Sequence, residues 1–227
     1  MKTLLTIAVL ALFGGLLSCE SVRSSEVREE TLELGPLNAP VQTEVDTANL
    51  KTAVFAGGCF WGVEAVFEWT RGVADARSGY SGGTKETASY DLVSAGKTKH
   101  AEAVEVRFDP NVVSYEQLLD IFFRVTHDPT QLNRQGPDVG AHYRSAIFYD
   151  DDEQRAAASA YIEKLTAERV YKKPIVTQLV PLEAFYPAED YHQDFLRRNP
   201  NDPYIVYHDI PKLEKLKKTY PKLWAGT

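Results

Sequence analysis

Cysteine is nearly missing from this chain: Cys19 and Cys59 are the only two in 227 residues. If Cys19 belongs to a leader, as argued below, Cys59 has no partner for an internal disulfide, and an unpaired thiol in an exported protein is either reactive or deeply buried. An excess of positive charge is missing too. The formal net charge is −7, which argues against a nucleic-acid partner, since that needs a basic face. There are no internal repeats. The five histidines (His100, His127, His142, His192 and His208) are scattered rather than spaced as ligands, and a lone cysteine does not make a zinc site, so no metal is expected. The apolar run from Leu4 to Leu17 is too short to span a bilayer comfortably.

What is present begins with that run. Lys2, the apolar stretch and Ser18-Cys19 read together as a secretory signal over 1–19, because a basic tip, a short apolar region and a small-residue cleavage site occur in that order. Its end, Leu16-Leu17-Ser18-Cys19, resembles a bacterial lipobox, in which the cysteine is acylated and becomes the first mature residue; ordinary cleavage is the alternative. Glu20 in the next position favours the outer membrane under the sorting rule of enteric bacteria. The expected location is therefore the periplasm or cell envelope, with a lipid anchor at Cys19. Residues 20–50 are acidic, carry Pro36 and Pro40 and show no apolar periodicity, as expected of a solvated tether. The remainder, 51–227, reads as one catalytic domain, expected to be monomeric.

Within it, short apolar runs alternate with longer helical patterns. Ala53 to Ala56 reads as a buried strand stopped by Gly57-Gly58, and a helical period follows from Cys59 through Val63, Val66, Phe67 and Thr70, leaving Glu64 and Glu68 off the stripe. Val73–Gly79 reads as a second strand. Residues 81–99 form a loop with local order near Tyr90. From Ala101 to Phe108 the residues alternate, with Glu102, Val104, Val106 and Phe108 sharing one face. Ser114 and Gln117 form a capping-box start for a helix to about Arg124. A strand at Ala146–Tyr149, an Ala-rich helix to about Arg169, a strand at Ile175–Val180 and helical segments near Glu189–Arg197 and Lys212–Lys218 complete the reading. The order β-α-β-β-α-β predicts an α+β, two-layer sandwich with a split βαβ (ferredoxin-like) core, a mainly antiparallel sheet and an added C-terminal region.

A cysteine that follows two glycines at a helix start faces unpaired N–H groups and the positive end of the helix dipole. That setting can draw a thiol pKa well below its free value of ~8.5. Spacing alone leaves open a small buried core cysteine. Phe60 and Trp61 are equally open between core packing and an apolar pocket around the sulfur. Glu102 lies on the apolar face of its strand, where an unpartnered carboxyl holds its proton and can act as an acid. If the strand starts one residue later, Glu102 is simply solvated.

The motifs Gly57-Gly58-Cys59-Phe60-Trp61-Gly62-Val63-Glu64, Gly79-Tyr80-Ser81-Gly82-Gly83, His100-Ala101-Glu102, and Arg134 to Asp138 through Tyr143-Arg144-Ser145, in this order, resemble peptide methionine sulfoxide reductase of the A type over roughly 52–201. The resemblance implies that Cys59 attacks the sulfoxide sulfur, Glu102 protonates the oxygen, and Phe60 and Trp61 hold the methyl group. It implies that Tyr90, Asp138 and Tyr143 hold the oxygen and organise substrate and water. It further implies the S epimer of methionine sulfoxide, free or in oxidised proteins, as substrate. No cofactor is expected. The cysteine would become a sulfenic acid that an external thiol or thioredoxin-like protein reduces, because no cysteine stands near the C-terminus as a resolving partner. His142 in place of the family's usual Gln, Lys99 in place of Gly and a divergent loop after Gly83 put the pocket rim in question. Two other classes compete, a Cys–His hydrolase and a non-enzymatic surface lipoprotein. Dependence on a reductant separates the reductase from the first, and binding alone would need neither Cys59 nor Glu102.

Overall fold

The computed structural model describes Pro40 and residues 45–226; the leader, Cys19 and most of the tether lie outside them. Among the described residues no helix is long and apolar enough to cross a membrane. The chain runs β1 (Lys51–Gly57), α1 (Phe60–Glu68), β2 (Val73–Ser81), α2 (Tyr90–Ser94), β3 (Ala101–Phe108), α3 (Tyr115–Ile121), a two-residue hairpin pair β4 (Arg134–Gln135) and β5 (Asp138–Val139), β6 (Ser145–Tyr149), α4 (Asp152–Ala167), β7 (Gln178–Pro181), β8 (Phe185–Pro187), α5 (Phe195–Arg198) and α6 (Ile210–Thr219). The six-stranded sheet has the order β7-β6-β1-β3-β2-β8. Its central four strands are antiparallel neighbours in the split βαβ arrangement, as the order of elements predicted. Only β7 runs parallel to its neighbour β6, reached through α4.

Period-two alternation sorts the strand residues onto two faces. Ala53 and Phe55 of β1 and Val104, Val106 and Phe108 of β3 join the main core with α1, α3, α4 and α6. Val54, Ala56, Ala101 and Ala103 turn to the other face, where a smaller cluster forms with Ala146 and Phe148. The main core is aromatic around Phe55 of β1. Phe55 stacks on Phe67 and Phe122 with ring centres 5.1 and 4.9 Å apart, contacts worth about 0.5–1.5 kcal/mol each beyond the area they bury. The Ser114–Gln117 capping box is formed in both directions, which sets the start of α3. That helix ends in a π turn over Phe122–Thr126, a looser ending than the continuous helix expected.

Two expectations need correction. Glu64 is not on a solvated face: it is 1% exposed, because β2 covers one flank of α1 while α5 and α6 pack on the same helix. Residues 189–194 form turns rather than helix, with Asp194 in the left-handed region at φ 53°. Their side chains serve neighbouring backbone instead: Glu189 accepts from Tyr90 N–H, and the Gln193 amide donates to the carbonyls of Ser78 and Ala188.

Candidate active site

Strand β1 is buried and α1 must start immediately behind it, so the chain turns at Gly57-Gly58. Gly58 has φ +100°, and a Cβ there would overlap the Gln135 side chain; the turn therefore needs glycine. The turn leaves Cys59 as the N-cap of α1 (φ −54°, ψ 124°), 8% exposed. The Glu102 carboxyl reaches the same helix end from β3. Its Oε2 accepts the Phe60 N–H at 3.1 Å, satisfying one of the free donors of the first turn. Register explains the placement. Glu102 pairs with Tyr80 of β2 and keeps the helix-side alternation of Val104 and Val106, so its carboxyl lies under the start of α1.

Burial pushes the Glu102 carboxyl up to about 8; the Phe60 N–H opposes this and the charge of Asp138 adds to it. Glu102 is thus a neutral acid at neutral pH, as its strand position suggested. Cys59 behaves otherwise than expected. Burial raises its thiol well above the usual value, and the charges of Glu102 and Asp209 raise it further. The Trp61 N–H and the Lys212 ammonium pull the other way. The helix terminus does act, through that N–H, but desolvation by burial outweighs it. In the resting site, thiol and carboxyl both carry protons.

Around this pair the aromatic side chains form two walls. Phe60 is fully buried between Tyr80 and His192. Trp61 is half-buried, stacks on Phe195 with ring centres 3.7 Å apart, and donates its Nε1–H to His192 Nδ1 at 3.1 Å. The phenols of Tyr90 and Tyr143 are both raised, chiefly by burial and then by the charges of Glu102 and Cys59, so each remains an O–H donor facing the reacting pair. Asp138, on the hairpin, accepts the Tyr204 hydroxyl at 2.5 Å and adds to the field at Glu102. Every site residue expected within the domain therefore converges on the start of α1. Cys19 lies outside the described residues.

Tyr204, Glu189 and His192 were missed. Tyr204 bonds Asp138 and lies edge-on to Trp61. Glu189 accepts both the Tyr90 N–H and the Tyr80 hydroxyl. None of the three sits in a motif with a recognisable period, and the only local signal, the aromatic density of Phe185 to Phe195, says nothing about where that stretch folds. Two of the three departures at the rim, His142 and Lys99, resolve differently. His142 is buried against Tyr143, with ring centres 4.1 Å apart, and so supports the pocket wall. Lys99 contributes its carbonyl, which accepts from Arg144 Nη2 at 2.9 Å.

No histidine nitrogen among the described residues bonds the Cys59 sulfur. His127 is bonded to Ser145 Oγ at 2.7 Å and to the Phe122 carbonyl, and His192 to Trp61, which removes the base a Cys–His hydrolase needs. Among the described residues no group of three or more His, Cys, Asp or Glu side chains is gathered as a metal site.

A family model described as peptide methionine sulfoxide reductase matches residues 51–223, past the 201 at which the motif resemblance ended. Peptide methionine sulfoxide reductase MsrA 2 of Mesorhizobium japonicum is 53% identical over 175 residues, covering 77% of this chain and 90% of that protein. MsrA 2 of Synechocystis sp. is 57% identical over 168 residues, with coverage of 74% and 78%. Among solved structures, reduced Mxr1 of Saccharomyces cerevisiae aligns with a TM-score of 0.64 at 35% identity, covering 70% of this chain and 90% of that one. Methionine sulfoxide reductase A of Corynebacterium diphtheriae gives 0.59 at 34%, with coverage of 70% and 78%.

Proposed function

The chain belongs to the peptide methionine sulfoxide reductase family, and from that premise we propose that Cys59 and Glu102 carry the two halves of its thiol-dependent reduction of methionine sulfoxide. The observation that carries this reading is the shared helix end: Cys59 caps α1 while the Glu102 carboxyl, pushed up to about 8, bonds the very next N–H. A proton donor and a sulfur nucleophile then meet at one helix end, with Phe60 and Trp61 next in the chain to hold the S-methyl group. Tyr90, Tyr143 and Asp138 hold the oxygen and orient substrate.

Glu102 gives its proton to the sulfoxide oxygen, which makes the substrate sulfur electrophilic as the Cys59 sulfur attacks it. The hydroxyl then passes to Cys59 as the substrate S–O bond and the new S–S bond break and the Cys59 S–O bond forms. The thiol proton restores Glu102. Methionine leaves reduced by two electrons, and Cys59 is oxidised by two to the sulfenic acid. One external thiol then forms a mixed disulfide with Cys59 and releases water; a second thiol frees Cys59 and leaves as the disulfide. Cys59 is the only free cysteine among the described residues, which supports an external thiol or thioredoxin-like reductant in place of an internal resolving step.

The domain 51–227 works as a monomer on free or protein-bound methionine S-sulfoxide, tethered by residues 20–50 and anchored in the cell envelope through Cys19. The Leu16-Leu17-Ser18-Cys19 run and the acidic, proline-containing stretch after it support that location. Assay with a racemic sulfoxide peptide tests the chemistry. We expect one dithiol consumed per methionine formed, conversion stopping at half of the racemate, and no turnover by Cys59→Ser. Turnover without reductant, or by the Cys59→Ser variant, overturns the assignment. The intact mass of the mature protein tests the anchor: an acylated Cys19 start is expected, and an unlipidated start elsewhere overturns it.

A further inference from the structure

We propose that Asp209 and Lys212 form a positioning pair for Cys59, in which Asp209 seats the Lys212 ammonium against Gly62 so that a positive charge faces the anionic form of the sulfur. Asp209 is fully buried where the π turn Ile205–Asp209 meets α6. A carboxylate taken out of water there is costly without a partner. Burial raises the Asp209 carboxyl, and Lys212 pulls it back toward the charged form, donating from Nζ to Oδ1 at 3.0 Å, while Oδ2 has no hydrogen-bond partner. The pair is pressed onto the first turn of α1. A Cβ at Gly62 would overlap the Asp209 carboxylate and come within 2.6 Å of the Lys212 Nζ. Gly62 is three residues from Cys59, so the missing side chain is what admits two charges beside the reactive sulfur.

The groups bearing on Cys59 come from every element around it. Glu102 projects from β3, Tyr90 from α2, Tyr143 from the turn before β6, and Tyr204, Asp209 and Lys212 from the tail. Asp138 acts on Glu102 and Asp209, and His208 acts on Asp209. Among these Lys212 is the cation whose charge favours the ionised sulfur, and it offsets part of the larger opposing effect of Asp209. A pair kept only to satisfy a buried carboxylate would have no reason to sit against the one residue without a side chain on this turn. Here the tail supplies a charge to the sulfur. It supplies no cysteine: residues 200–227 contain none.

This inference rests on Cys59 as the nucleophile, but its test reads the thiol directly. Full-length protein is alkylated with iodoacetamide between pH 7 and 12, and the peptide bearing Cys59 is followed by mass spectrometry. Lys212→Gln is expected to move the midpoint upward by about half a pH unit, a roughly threefold slower alkylation below it, and Lys212→Arg to restore it. Asp209→Asn is expected to move it downward, and the double variant Asp209→Asn/Lys212→Gln to lie between Asp209→Asn and the parent. An unmoved midpoint in Lys212→Gln overturns the proposal, as does a shift of the same sign in both single variants. Because Lys212 is partly exposed, its variants remain readable even if Asp209→Asn does not fold. Loss of turnover in Cys59→Ser together with an unmoved midpoint in Lys212→Gln would reject the pair and leave the proposed function standing.

Discussion

Helix α1 has a buried carboxyl beside each half of its length. Glu102 meets its N-terminal end from β3, and Glu64 lies one turn further along on the helix itself. Burial pushes both up to about 8, and each is opposed by a backbone N–H, from Phe60 in one case and Ser78 in the other. By protonation state alone they are twins. Their surroundings differ. Glu102 shares its volume with a thiol and with phenols that face it, whereas Glu64 is set against Ser78 and Asp194, next to Glu68, whose carboxyl is raised to about 9 and hydrogen-bonds Asp194. A raised carboxyl therefore reports desolvation; the neighbour that can use its proton makes it an acid.

The contrast breaks most visibly at Glu102. Glu102→Gln keeps an acceptor for the Phe60 N–H but removes the proton, so kcat should fall by about 10²–10⁴. The parent enzyme should also lose activity as pH rises through about 8, where Glu102 ionises, and that limb should disappear in the variant; steady-state rates from pH 6 to 10 check both. Tyr143→Phe removes one donor aimed at the reacting pair. A fall in kcat/KM of roughly tenfold to a hundredfold, from ~1.5–3 kcal/mol for a hydrogen bond to a charged group, is expected with an unchanged melting curve. Glu64→Gln should leave turnover within about twofold, as expected of a residue outside the reacting volume.

The effect of Glu64 should appear in stability instead. Its carboxyl sits near 4.5 when unfolded and about 8 when folded, so the native state holds the extra proton between those values. Its contribution is complete below about 4.5 and is lost as pH rises through 8. The parent Tm should therefore fall from pH 5 to pH 8, and the Gln variant should fall less; equal slopes would mean that Glu64 is not the buried acid its environment makes it.

Much of the site was legible because its chemistry is local. Gly57 to Trp61 bring the turn, the proposed nucleophile and the proposed methyl wall together in five consecutive residues, and the alternation in Ala101 to Phe108 put Glu102 on the apolar face provided the strand included it. The capping box at Ser114 was legible for the same reason. Glu64 was misplaced because a helical stripe predicts one buried face, and α1 is covered by β2 on one flank with α5 and α6 also packed on it. The thiol of Cys59 was misjudged because a helix N-terminus can be read from neighbours in sequence, while burial and the charges of Glu102, Asp209 and Lys212 come from segments distant in the chain. Tyr204 and the Asp209–Lys212 pair were not legible for that reason too.

In the sequence by itself, turns and side-chain periods, which act over a few residues, put Cys59 behind two glycines at a helix start, Glu102 in an alternating strand and the elements in split βαβ order; the roles of nucleophile, acid and methyl wall rest on the resemblance of the motifs to the family. Only the tertiary structure decided the charge state of that nucleophile. Burial and electric field sum over every group within reach, and here those groups arrive from β3, α2, the hairpin and the C-terminal tail at once.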